Sequence, residues 1–226
     1  MCGLYDVSPA KFGQSFNNTR LAKDFGGRTE IYTGFDVVMN ARFGKGGLIT
    51  GGLNSGNTKI NNCASPDFPA QFCDQSSPWA NQTQVKLSAA HSLPYGLNAS
   101  VVFQNLAGLA RSATFVATNA QILPSLGRNL AQCGAAAVCN GTVVVSLLPP
   151  NQYREPRSSQ VDLRLMKAAR IHGVRVTPRF DVYNLLNTGP VTALFTRYSG
   201  TTGGAWLNAQ GVLTGRLFKF GFQVDF

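Results

Sequence analysis

The sequence predicts an all-β protein: an antiparallel transmembrane β-barrel segment of about seven meandering strands, part of a larger barrel, with long extracellular loops. Three observations predict it. Apolar and polar residues alternate over strand-length runs, the charges within those runs lie opposite the apolar residues, and short and long connections alternate along the chain.

Composition narrows the class first. Of 226 residues 44% are hydrophobic but only 13% charged, with 24 glycines and 15 phenylalanines, a mixture suited to strands and turns. No run approaches the roughly 18 apolar residues of a membrane-spanning helix, and Met1 to Asp6 lack a basic, then apolar, leader pattern. A formal net charge of +10 would suggest nucleic acid if the cations were clustered in sequence. They are scattered singly, so no nucleic-acid partner is expected.

The first strand is read from Thr29 to Phe43, where Ile31, Thr33, Phe35, Val37, Met39, Ala41 and Phe43 share a face opposite Tyr32, Asp36, Asn40 and Arg42. Gly44-Lys45-Gly46-Gly47 supplies a tight turn, and a weaker Gly-rich strand follows from Leu48 to about Ser55. A second pair, Gln84 to His91 and Leu97 to Asn105, is joined by a turn with Pro94 and Gly96. A third joins Gln160 to Lys167 with Val174 to Tyr183; Pro178 there lacks a ladder donor, which predicts a bulge. The chain ends on the most regular segment, Phe218 to Phe226, with an apolar residue at every even position.

Charge placement supports β structure, since a soluble sandwich core needs the same charge-free face, and loop length separates a membrane barrel from a soluble sheet. Asp36, Arg42, Lys86, Asp162, Arg164, Arg175, Arg179, Asp181, Lys219 and Asp225 fall opposite the apolar set and are read as lumen-facing. The apolar face is expected to be free of charge, since a midplane Lys or Arg facing lipid costs about 2–4 kcal/mol. Connections near 44–47, 92–96 and 168–173 are short; those near 54–82, 106–159 and 187–213 are long and rich in Asn, Gly, Ser and Pro. Short periplasmic turns and long extracellular loops give that asymmetry, whereas soluble domains avoid structureless loops of such length.

Cys63 and Cys73 fall in the first long loop, Cys133 and Cys139 in the second, so two local disulfides are expected, with Cys2 unpaired or bonded upstream. The spacings fit no zinc pattern, and His91 and His172 sit near turns at the opposite end. No metal or cofactor is expected. No nucleophile with its base, carboxylate pair or phosphate loop is convincing; Asp162 and Asp181 lie among Arg164, Arg175 and Arg179, which favours cross-strand ion pairing over catalysis. Trp79 and Trp206 lie in long loops, suited to ligand contact, an interfacial girdle or loop packing.

These residues resemble a known family. Arg216 to Phe226 looks like the terminal signal by which the barrel-assembly machinery recognises outer-membrane proteins, carried by Phe218, Phe220, Phe222, Val224 and Phe226. Gln160 to Arg164 and Asp181-Val182-Tyr183-Asn184-Leu185-Leu186-Asn187 resemble the closing strands of TonB-dependent outer-membrane receptors. Leu4 to Val7, Phe12-Gly13-Gln14 and Ser125 to Asn129 resemble the Oar-like receptors of the acidobacterial type. The resemblance implies a place in the cell outer membrane, contact with its lipid, and uptake of a substrate the sequence does not identify. TonB would be engaged through an N-terminal part outside this chain. Such receptors have a plug inside a barrel of about 22 strands; residues 1–226 are read as the C-terminal part of that barrel, with the plug absent. The alternatives are a secreted β-sandwich adhesin or glycan-binding module, and a diffusion porin.

Overall fold

The structure is a computed structural model that describes residues 4–17, 19–44, 46–64, 72–201 and 204–226. About 50% of the chain is strand and 11% helix, and no helix among the described residues is long and apolar enough to cross a membrane. In chain order the elements are β1 (Thr29–Phe43), β2 (Gly47–Asn61), β3 (Asp74–Ser76), β4 (Gln84–Ser92), β5 (Leu97–Leu106), β6 (Thr114–Thr118), α1 (Asn119–Leu126), β7 (Thr142–Ser146), β8 (Ser158–Lys167), β9 (Ala169–Ile171), β10 (Val174–Tyr183), β11 (Val191–Leu194), β12 (Ala209–Val212) and β13 (Leu217–Asp225).

One antiparallel meander dominates. Its seven principal strands run β1-β2-β4-β5-β8-β10-β13, with β3 added beside β2 and β9 beside β10. Each strand pairs with its neighbours in this path, so successive connections fall at opposite ends. The turns after β1, β4 and β9 gather at one end; the long connections after β2, β5 and β10 gather at the other. Among the described residues, β1 and β13 form no ladder with each other, and the sheet has two free edges.

Alternation holds across the whole width. One row passes through Ala41, Ile49, Ala89, Val101, Leu163, Val182 and Phe218, one residue per principal strand and all apolar. The adjacent row, on the other face, is Arg42, Leu48, Ala90, Ser100, Arg164, Asp181 and Lys219. No second sheet covers the apolar row among the described residues. The exposed surface of 15376 Å² exceeds the about 10,000 Å² of a compact monomer of this mass. Ile31, Phe35, Val37, Phe218, Phe220 and Phe222 are all more than half, or half, exposed.

The buried apolar side chains lie mostly beyond the sheet, in the long connections: Ala113, Ala117, Leu130, Ala131, Val145 and Leu194. Here the expectation of structureless loops is corrected. The connection after β5 folds into the β6–β7 hairpin with α1 between its strands, and the one after β10 into the β11–β12 hairpin. Helix α1 begins at a reciprocal cap, Thr118 Oγ1 accepting from Gln121 N while the Gln121 side chain accepts from Thr118 N. The two connections also bond to each other. Thr114 N donates to Thr196 O, Tyr198 N to Thr114 O, and the Trp206 indole to Ser112 O.

Three further expectations need revision. Strand β2 continues to Asn61 rather than ending near Ser55, because β1 supplies a partner along its full length, Thr29 opposite Asn61. Pro178 produces no bulge. The β10 register against Met166 and against Ala169 is the same on both sides of the residue, and the ladder lapses between β8 and β9 where the N–H is missing. Lastly, the apolar face does carry charge at its margins. Lys59, opposite Ile31, and Asp74, opposite Asn61, share parity with the apolar set at the long-loop end, and Lys167, opposite Leu97, does so at the short-turn end.

Candidate functional site

The polar face of the sheet is the only extended surface on which the chemistry-bearing side chains converge among the described residues. The ladder registers place Asp36, Arg42, Lys86, Asp162, Arg164, Arg175, Arg179, Asp181, Lys219 and Asp225 on this one face. They form an ordered array because each strand contributes alternate residues to it.

The four aspartates of the array are each held by protein donors. Arg164 grips Asp181 through Nε to Oδ1 at 2.6 Å and Nη2 to Oδ2 at 3.2 Å, a two-point contact with a carboxylate only 3% exposed. Asp162 accepts from Gln160 Nε2 at 2.9 Å and from the Asn184 backbone N–H at 2.8 Å. Asp36 accepts from Asn54, and Asp225 from Gln223 at 2.8 Å. The cations fare differently. Among the described residues, Arg42, Lys86, Arg170, Arg175, Arg179 and Lys219 make no ion pair, whereas Arg111 pairs with Glu155, Arg128 with Asp6 and Arg164 with Asp181.

Beside Asp36 and Lys86 the face has a shallow hollow of about 210 Å³, lined also by Val38, Asn54 and Gln84. That is below the roughly 300–1,000 Å³ of enclosed small-molecule sites. Above it Tyr32 lies across the glycine pair Gly34 and Gly56. A Cβ on either would stand 2.3 Å from the Tyr32 hydroxyl, so the ring needs glycine beneath it.

Asn184, at the end of β10, is the main feature that sequence reasoning passed over. Its backbone is left-handed at φ 52° and its side chain is buried at 2% exposure. The amide donates to Thr188 O at 2.8 Å and Thr214 O at 3.1 Å, and accepts from Thr188 N at 3.0 Å. Thr188 Oγ1 reaches Ser159 O at 2.8 Å, and Asn187, also left-handed, accepts from Arg216 N at 2.9 Å. The Asp181 to Asn187 run therefore ties β8, β10 and the entry to β13 together. Two asparagines just beyond a strand were the available signal, since Asn tolerates the left-handed region better than most residues.

The loop end has its own ties. Cys63 is bonded to Cys73 and Cys133 to Cys139; Cys2 lies outside the described residues. Arg157 donates to Ala80 O, Thr83 O and Asn105 Oδ1, linking two long connections. Asp6 meets Arg128 at 2.6 Å and also accepts from Ala131 N, which fastens the segment before β1 to the α1 connection. Trp79 packs on Phe35 and Trp206 edge-on to Tyr198. Phe43 stacks on His91 at 5.4 Å; His172 occupies a left-handed turn position. No group of three His, Cys, Asp or Glu that could hold a metal is found among the described residues.

Fold and site together define an antiparallel β-sheet protein with one apolar face, one polar face and a disulfide-bonded loop end. No protein-family model and no curated protein sequence matches the chain.

Proposed function

We propose that the chain is the C-terminal barrel segment of a TonB-dependent outer-membrane receptor, taking part in uptake of a substrate not yet identified. The observation that carries the membrane reading is the uncovered apolar row from Ala41 to Phe218, charge-free across seven strands, with Lys59, Asp74 and Lys167 on the same face only towards the strand ends. Lipid covers such a row where no second sheet does, and lysines at its margins reach the headgroups. Strands β4, β5, β8, β10 and β13 are 9 or 10 residues long, which fits the roughly 9–11 residues of a tilted crossing strand. The sorting of short turns and long loops to opposite ends supports the same reading.

The receptor term rests on the sequence resemblance at Asp181 to Asn187 and Arg216 to Phe226. In this reading Phe218 to Phe226 engages the barrel-assembly machinery, the ten charged residues line the lumen, and the free edges of β1 and β13 pair with further strands. Closure is required because an unpaired edge in lipid leaves backbone polar groups unsatisfied. Expressed from its native gene, the protein is expected in outer membranes after a high-salt and carbonate wash. Recovery in the soluble periplasmic or secreted fraction would overturn the proposal and favour the adhesin or glycan-binding alternative.

A further inference from the structure

The sheet gathers cations that are scattered in the sequence. Where β9, β10 and β13 lie side by side, Arg170 stands directly opposite Arg175, and Arg175 opposite Asp225. Two like charges facing across a ladder repel each other. Two positions along β10, Thr177 pairs with Gln223; two further, Arg179 pairs with Gly221, and then Asp181 with Lys219. The Arg179 side chain lies across Gly221, whose missing Cβ would be 2.8 Å from Arg179 Nε. Arg179 fills the space over Gly221, and Arg170, Arg175, Arg179 and Lys219 are all exposed on this face.

The patch has surplus donors and few acceptors. With Arg164 the patch holds five cations against two carboxylates: Asp181, gripped by Arg164 and near Arg179 and Lys219, and Asp225, opposite Arg175 and bonded by Gln223. None of the other four cations makes an ion pair among the described residues. Guanidinium groups spaced along a strand present paired N–H donors to phosphate or carboxylate oxygens. An anion seated here would relieve the Arg170 and Arg175 repulsion.

We propose that the polar face of β9, β10 and β13 is an anion-binding site, and that the solute handled by the protein carries a phosphate or multiple carboxylates. The proposal rests on the barrel reading only in taking this face as the water-filled side; rows of Arg and Lys in a lumen select anions by the same electrostatics.

The test is calorimetric titration of the protein, expressed from its native gene and purified in neutral detergent, with sodium pyrophosphate. Saturable binding is expected that weakens as salt rises and is about tenfold or more weaker in the R175Q/R179Q/K219Q variant. K167Q, on the opposite face, is the control and should leave the affinity unchanged. Because these cations are exposed and unpaired, the variant should keep its strand signal in circular dichroism; single R175Q, expected to weaken binding severalfold, serves if it does not. Absence of saturable binding, or an affinity kept within about twofold by the neutralised variants, overturns the site. The barrel fails separately, by fractionation, and the titration decides the anion site whichever way that falls.

Discussion

Arg164 on β8 and Asp181 on β10 stand directly opposite each other and form a two-point ion pair on the polar face. The pair is asymmetric in exposure: the carboxylate is 3% exposed and the arginine side chain 43%. Removing the arginine strands a nearly buried charge, whereas removing both leaves nothing unpaired. Arg164→Ala is expected to destabilise the protein by about 1–3 kcal/mol, and the double variant with Asp181→Ala by less than the sum of the singles. Urea unfolding of the four corners of the cycle measures this; strict additivity would show that the pair contributes nothing.

Asn184 combines a left-handed backbone with a fully engaged buried amide. Asn184→Gly keeps the backbone and loses the bonds, while Asn184→Ala loses both. The alanine variant is therefore expected to be the less stable, by about 1 kcal/mol or more. Equal unfolding midpoints for the two would remove the backbone argument.

The disulfides close short loops, Cys63 to Cys73 with a separation of 10 and Cys133 to Cys139 with a separation of 6. Loop-closure entropy assigns each about 2–3 kcal/mol. Both lie in the long connections, so reduction should loosen those without dissolving the sheet. Limited proteolysis with reductant is expected to cut faster between residues 62 and 83 and between 107 and 157, with the strand signal in circular dichroism unchanged. Global unfolding on reduction would contradict it.

The two faces should differ sharply in what they tolerate. Val101 and Ser100 are neighbours on β5 that point to the apolar and polar faces respectively. On the membrane reading, Val101→Lys costs roughly 2–4 kcal/mol and lowers assembly into outer membranes, while Ser100→Lys is nearly neutral. Comparable membrane yields for the two variants would argue that the apolar face does not meet lipid.

How much of this was legible beforehand depended on the period of the pattern. Strand β1 and the β4–β5 and β8–β10 hairpins carry alternation over most of their length, and a side chain's parity fixes its face whatever the neighbour is. The lower half of β2, Asn54 to Asn61, carries no such pattern; it is a strand because β1 is long enough to pair with it. Val143, Val144 and Val145 fall within the connection near 106–159 and form β7 because β6 stands opposite. Pro178 announced a missing donor, but whether the chain bulged or the ladder lapsed depended on β9 resuming the register.

The sequence by itself determined the β class, the seven principal strands, their two faces, and the local cysteine pairs, because all of these follow from residues close together in the chain. The tertiary structure alone decided that Arg170, Arg175, Arg179 and Lys219 share one patch, that Asp6 meets Arg128, and that the long connections fold against each other. Those depend on which strand lies beside which, and hydrogen bonding between distant segments sets that order.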